Sequence, residues 1–153
     1  MGINDLQVYQ LAMLLGEQVW TLVATWESFA KDTIGKQVVK SADSVAANIS
    51  EGFGRYHYKE NIHFCYIARG SLLETRTWLD KASQRRLMTA EVHRQFQVDI
   101  NTLGIKLNNY LKTLGKKRDE RFNNVGEPEP TYLINQPSHS TWEAPPNTTN
   151  DYE

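Results

Sequence analysis

The amino-acid sequence predicts an all-α protein, an antiparallel up-down-up-down four-helix bundle followed by a disordered C-terminal tail. Three features support this fold class. Apolar residues recur three and four positions apart in four long segments, short polar turns separate these segments, and all five prolines lie after residue 118. Because short turns make successive long helices antiparallel neighbours, the four segments are expected to form one bundle.

The first helix is predicted from about Asp5 to Glu27. Its seam residues alternate four and three apart and are Val8, Ala12, Leu15, Val19, Leu22 and Trp26. A second apolar row beside this seam contains Leu6, Tyr9, Met13, Trp20 and Val23. Two adjacent rows make an apolar face wider than one packed neighbour covers. This width predicts a subunit interface, with a wider internal core as the alternative.

The second helix is predicted to follow a turn at Phe29–Asp32 and to end near Phe53. Its inward residues are Ile34, Val38, Ala42, Val45 and Ile49. A run of short side chains allows another helix to approach closely, and it comprises Ser41, Ala42, Ser44, Ala46, Ala47 and Ser50. Gly52 and Gly54 are expected to end the helix, because glycine tolerates the positive φ of a C-terminal cap.

The third helix, about Tyr58 to Gln84, is apolar on nearly every side. One row contains Ile62, Cys65, Tyr66, Leu72, Leu73 and Leu79, and the other contains Phe64, Ile67, Ala68, Ser71, Thr75, Trp78 and Ala82. Such a helix is normally buried on most of its surface, which again favours a subunit interface. Gly70 lies inside this helix at a cost of about 1 kcal/mol relative to alanine, so close contact with a neighbouring helix is expected there.

The fourth helix is predicted from about Ala90 to Lys117. Its seam is Phe96, Ile100, Leu103, Leu107, Tyr110 and Leu114. The periodicity stops near Asp119, which divides the chain into a bundle domain (residues 1–118) and an acidic, proline-containing tail (residues 119–153). The first part carries 16 Lys and Arg against 11 Asp and Glu, a net +5, and the second carries 1 against 7, a net −6.

Two segments carry a family resemblance. Residues 46–55 read AANISEGFGR, and residues 67–74 read IARGSLLE. Together with the opening at residues 5–12, they resemble the four-helix-bundle family of 23S rRNA intervening-sequence proteins, whose relatives include the accessory variability determinant of diversity-generating retroelements. The resemblance covers about residues 3 to 115 and departs from the family pattern at Ser50, where alanine is usual. It implies a ring-shaped homopentamer that binds nucleic acid and, as a further partner, a reverse transcriptase.

The motif residues of these segments are interpreted as structural. They are Asn48, Glu51, Gly52, Arg55, Arg69, Gly70, Ser71 and Glu74. Glu51, Arg69 and Glu74 lie on strongly apolar helices, where partly buried charges need partners. An ion-pair or capping network that ties the second helix to the third is therefore predicted, rather than a catalytic group.

The sequence offers little for enzymatic chemistry, so no enzyme activity and no cofactor are predicted. A single cysteine, Cys65, excludes an internal disulfide framework. Glu60 and His63 form a Glu-x-x-His unit, but a di-iron bundle site needs two such units, so no metal site is predicted and a bundle metalloenzyme is the least favoured alternative. Without a signal peptide or a long apolar run, a cytoplasmic protein with no membrane partner is expected.

The strongest functional signal is a cluster of cations that the predicted topology places at one end of the bundle. Its members are Arg55, Lys59, Lys112, Lys116, Lys117 and Arg118. Repeated around an oligomer, they suit a phosphate backbone, which predicts a non-enzymatic scaffold that binds RNA or cDNA. Two alternatives stay open: the lysines complement the helix dipole, or the protein is an interaction module without nucleic-acid contact.

Overall fold

The computed structural model describes residues 1–125, which form four long helices and no strand, so the predicted all-α four-helix fold is confirmed. The elements are a 3-10 turn (Ile3–Asp5), α1 (Gln7–Ala24), a short helical turn (Ser28–Ala30), a π-helical turn (Lys31–Gly35), α2 (Lys36–Phe53), α3 (Tyr58–Gln84) and α4 (Ala90–Val125). None of the helices in this range is both long and apolar enough to cross a membrane.

Each helix packs against two others, in the cyclic order α1, α2, α3, α4. Helices α2 and α3 pack most closely, and helices α1 and α4 pack least closely. The small side chains predicted to allow close approach lie on the α2 side of the tight pair. Ser41 is buried there, and its Oγ accepts a hydrogen bond from Thr75 Oγ1 of α3 at 3.0 Å.

The predicted seams form the core. In α1, α2 and α4 their residues are buried, except that Leu22 and Tyr110 are partly buried. Since these positions follow the helical repeat, they face the centre of the bundle together. The hydrophobic core is therefore the part of the fold that periodicity predicts most directly.

The doubled rows on α1 and α3 are mostly absorbed by this core. On α1, Leu6 and Val23 are buried, whereas Met13 and Trp20 are exposed. On α3 the buried members of both rows are Cys65, Ala68, Leu72, Thr75, Leu79 and Ala82, and the exposed ones are Tyr66, Ile67 and Leu73. The wider-core alternative accounts for the buried members of these rows. Only the exposed members are left for a subunit interface.

The first turn lies earlier than predicted. α1 ends at Ala24, and the chain is already helical at Ser28, so the predicted turn at Phe29–Asp32 is wrong. These residues contain neither glycine nor proline, and Lys31 N–H donates to the Glu27 carbonyl at 3.0 Å. Trp26 anchors the true turn, because its buried indole Nε1–H donates to the Leu87 carbonyl at 2.8 Å.

Neither Gly52 nor Gly54 ends α2 through the positive φ that the sequence predicted. Gly54 is the C-cap residue, but its φ of −73° is that of a right-handed turn that any residue adopts. Gly52 lies inside the helix and is buried. Gly52 is therefore required for close packing against α3, as described below, rather than for a positive φ.

The fourth helix continues past its predicted end. α4 runs to Val125, eight residues beyond Lys117, and so crosses the proposed domain boundary at residue 118. Residues 119–125 contain Arg121 and Phe122, which extend the helical surface at this end. The predictions for residues 126–153 lie outside the described part of the chain.

Candidate nucleic-acid interface

The α2–α3 turn and the C-terminal part of α4 lie at the same end of the bundle, as the topology predicted. Arg121 Nη2 of α4 donates to the Tyr56 hydroxyl in the turn at 2.9 Å. Deeper in the bundle, Asn61 Nδ2 of α3 donates to the Tyr110 hydroxyl of α4 at 3.3 Å. These contacts fix the two helices as antiparallel neighbours. We call this end, with its cations and the Tyr56 turn, the basic end.

Three of the six predicted cations are fully available at the basic end. Lys112, Lys116 and Lys117 are exposed and make no ion pair with any described residue. They lie on consecutive turns of one helix, so their ammonium groups cover the surface of the last part of α4. An oligoanion that contacts this surface finds charges that no local carboxylate neutralises.

The other three predicted cations are placed differently. Arg55 pairs with Glu51 one turn earlier, and its guanidinium also lies 5.1 Å from the Phe64 ring centroid. Arg118 pairs with Asp119 at 2.8 Å on the exposed surface. Exposed pairs of this kind are weak, so both arginines can exchange partners with a phosphate. Lys59 is only partly exposed and its Nζ atom is buried, so its charge is held inside the protein.

Arg121 is a further cation that the sequence did not identify. It is exposed, lies 4.9 Å from the Tyr56 ring centroid and donates to the hydroxyl of the same ring. It was missed because the helix was predicted to stop near Lys117. The sequence did contain one sign that the helix continues. Arg121 lies four residues after Lys117, and Phe122 lies four residues after Arg118.

The predicted polar network between α2 and α3 does not form. Glu51 pairs with Arg55, and Glu74 accepts a hydrogen bond from Trp78 Nε1 at 3.2 Å, so both contacts stay within four residues. Arg69 turns toward α4 instead, where Nη1 donates to Asn108 Oδ1 at 3.5 Å. The network is absent because all three charged side chains point to solvent and are exposed. An exposed helical side chain reaches a neighbour one turn away more easily than a group across a packed seam.

The remaining motif residues differ in their contacts. Asn48 Nδ2 donates to the Ser44 carbonyl at 2.7 Å, and the Ser71 carbonyl accepts from Thr75 Oγ1 at 2.8 Å. Gly70 is exposed, and an added Cβ would meet nothing within 4 Å, so the predicted close approach there does not occur within one chain. The close approach occurs at Gly52 instead.

A buried polar cluster lies beneath the basic end. A Cβ at Gly52 would lie 2.9 Å from Asn61 Oδ1 and from Phe64 Cβ, so glycine is what makes room for α3. Cys65 Sγ donates to Asn61 Oδ1 at 3.5 Å, and Asn61 donates in turn to Tyr110. Burial raises the pKa of the Tyr110 phenol, and the hydrogen bond from Asn61 partly opposes this rise. The cluster is neutral and holds α2, α3 and α4 together.

Cys65 is expected to be unreactive in the native protein. Its side chain is completely buried, and burial raises the pKa of the thiol from 9.0 to about 12. That rise lowers the thiolate fraction at pH 8 by roughly 1,000-fold, and thiolate is the reactive form. A thiol reagent should therefore modify Cys65 far more slowly in native than in denatured protein. The absorbance of the reaction product measures both rates. Equal rates at pH 8 would contradict the buried placement.

The described acidic and histidine side chains do not converge on a metal site. Glu60 and His63 are both exposed, and no three His, Cys, Asp or Glu side chains within residues 1–125 converge as a metal-binding group. His93 instead contacts Asp80 through Nε2 at 2.7 Å and joins α4 to α3.

Comparison with known proteins assigns the family. The model of the family described as 23S rRNA-intervening sequence protein matches residues 4–109. A solved structure from Bacteroides thetaiotaomicron, a protein with unknown function from the S23 ribosomal protein family, is 21% identical with a TM-score of 0.62. The match covers 69% of this chain and 98% of the Bacteroides chain. At 21% identity this likeness shows the fold alone. No curated protein matches significantly. Since the family match spans more than half of the 153 residues, this chain belongs to the 23S rRNA-intervening sequence protein family.

Proposed function

We propose that this protein is a non-enzymatic accessory protein that binds nucleic acid through its basic end. The observation that carries the proposal is the group of exposed lysines Lys112, Lys116 and Lys117, which no described carboxylate neutralises. Arg121 extends this surface to the α2–α3 turn. The description of the family names a 23S rRNA intervening sequence, so RNA is the first nucleic acid to test.

The binding is expected to be electrostatic. Cations that neutralise phosphates release condensed counterions, so affinity falls steeply as salt rises. The candidate surface consists of lysine and arginine side chains, which favours recognition of the phosphate backbone over recognition of sequence. The net charge of residues 1–125 is only +4, from 17 Lys and Arg against 13 Asp and Glu, so a single copy is expected to bind weakly.

Association of several copies would multiply the basic surface. Leu73 lies one turn from Arg69 and Ile105 lies one turn from Asn108, so these two exposed apolar side chains flank the same α3–α4 seam. Trp20 adds a further exposed aromatic residue on α1. These residues support the proposal of a homo-oligomer. The pentamer, the retroelement context and the reverse-transcriptase partner are proposals that derive from the resemblance.

Two measurements test this function. Full-length protein should bind a labelled single-stranded RNA at low salt, in a fluorescence anisotropy titration, with affinity that falls linearly against salt on logarithmic axes. Light scattering of the same sample should give a mass several times that of one chain. Absence of RNA and DNA binding at low salt would refute the nucleic-acid function, and a monomer at micromolar concentration would refute the oligomeric scaffold.

A protein-interaction module without nucleic-acid contact is the second candidate, and a groove favours it. The loosely packed α1–α4 seam opens into a groove of about 500 Å³ at the end opposite the basic end. Leu22, Val92 and Phe96 line it, and Glu17 and Asp99 lie among its polar residues. This chemistry suits a basic amphipathic helix of a partner protein. Val92→Ala, at an exposed residue of the groove, would weaken such a complex and leave RNA binding unchanged.

A further inference from the structure

Tyr56 is an exposed aromatic ring held in one orientation at the basic end. The residue is 75% exposed although it is large and partly apolar. Arg121 holds the ring from α4 through a hydrogen bond to the hydroxyl at 2.9 Å and a guanidinium 4.9 Å from the ring centroid. His57 lies against it edge to face, with centroids 4.9 Å apart. Arg121 covers part of one face of the ring and holds its hydroxyl, and the remaining surface is open to solvent, so the ring is already positioned for a flat ligand.

The surroundings of Tyr56 supply the other half of such a site. Lys117 lies one turn before Arg121 on the same side of α4 and adds positive charge near Tyr56, and Phe122 is a second exposed aromatic residue at this end, 45% exposed. Proteins that bind single-stranded nucleic acid combine a cationic track for phosphates with aromatic rings on which bases stack. The basic end contains both components.

We propose that Tyr56 is a stacking platform for an unpaired base, so that the basic end prefers single-stranded to double-stranded nucleic acid. This inference rests on the proposed nucleic-acid function and names its substrate class. Bases in a duplex are already stacked on each other and cannot cover a protruding ring without unpairing. A single strand offers free base faces, while its phosphates contact the lysines.

The experiment compares three single variants in the full chain, with RNA binding measured by anisotropy for a single strand and for a duplex of the same sequence. Tyr56→Leu should weaken single-strand binding about tenfold, the effect of one stacked base, and leave duplex binding unchanged. Tyr56→Phe keeps the ring, loses the hydroxyl bond to Arg121, and should bind the single strand nearly as well as the wild type.

Tyr66→Leu is the matched control. Tyr66 is also exposed and also has an arginine against its ring, since Arg69 lies 5.0 Å from the centroid. It lies ten residues further along α3, about 15 Å from the basic end, so RNA binding should not change when light scattering shows that the variant has the same mass as the wild type. A single strand carrying 2-aminopurine should show quenched fluorescence on binding to wild type and to Tyr56→Phe, but not to Tyr56→Leu.

The outcomes separate this inference from the proposed function. Wild-type protein that binds neither RNA form would overturn both. Binding of single strand and duplex with equal affinity, unaffected by Tyr56→Leu, would overturn the platform and leave the basic end as a phosphate-binding surface. Equal loss of single-strand affinity in Tyr56→Leu and Tyr56→Phe would also overturn the stacking platform. The contribution of Tyr56 would then come from the bond between its hydroxyl and Arg121 and not from its ring.

Discussion

Replacing Gly52 with alanine is expected to destabilise the protein by about 1–3 kcal/mol, the usual range for overpacking a well-filled interior. The new Cβ would lie 3.0 Å from the Asn61 carbonyl oxygen and 2.9 Å from Phe64 Cβ, and backbone atoms cannot move aside alone. α2 and α3 must therefore separate, which loosens the hydrogen bonds of Asn61 with Cys65 and Tyr110. Urea unfolding should show a lower midpoint with an unchanged slope.

Gly70→Ala is the matched control for this prediction. Gly70 is also a helix-interior glycine, but no atom lies within 4 Å of its added Cβ. Alanine should therefore stabilise the helix by up to about 1 kcal/mol, through propensity alone. If Gly70→Ala proves the more damaging variant, another copy of the chain packs on Gly70, and the close approach predicted from the sequence is between subunits.

Replacing Lys112, Lys116 and Lys117 together with glutamine should have the largest effect on binding. If each lysine neutralises one phosphate of a single strand, the slope of log affinity against log salt should fall by about 2, and affinity at low salt by about 100-fold. The side chains are exposed, so the free energy of unfolding should change little. Anisotropy titrations at several salt concentrations measure both quantities.

A second triple variant controls for net charge. Lys31, Lys81 and Arg85 are exposed and lie at the opposite end of the bundle, next to the α1–α2 and α3–α4 turns. Glutamine at these positions removes the same three charges from a different surface. If both triple variants lose affinity equally, RNA responds to overall charge, and the basic end is not the binding site.

The extent to which sequence predicted this fold differs between its apolar and polar parts. The seams through Val19, Val45 and Leu107 were predicted correctly, because a repeat of 3.6 residues places them on one side of each helix whatever the neighbours are. The polar network failed at Glu51, Arg69 and Glu74. Polar pairing depends on how each helix is rotated and on how far a side chain must reach, and neither can be read from spacing.

The candidate site was predicted in its location and only partly in its membership. Alternating topology brought Arg55 and Lys116 to one end, as expected. Lys59 was counted as a surface cation, although its position in the first turn of α3 directs Nζ into the protein. Arg121 was omitted because the apolar periodicity stops near Asp119, which predicted the end of the helix. Its contact with Tyr56 is between distant parts of the chain, which no local pattern encodes.

The sequence by itself determined that four amphipathic helices form one antiparallel bundle with cations gathered at one end, because periodicity and turn length are local properties. Only the tertiary structure decided which of the two motif glycines is packed tightly, since Gly52 and Gly70 both lie in helices but only Gly52 faces a neighbour. It also decided that Tyr56 is braced by Arg121 and left open to solvent. Such features depend on the distance and rotation between helices, which the packing of the whole core sets.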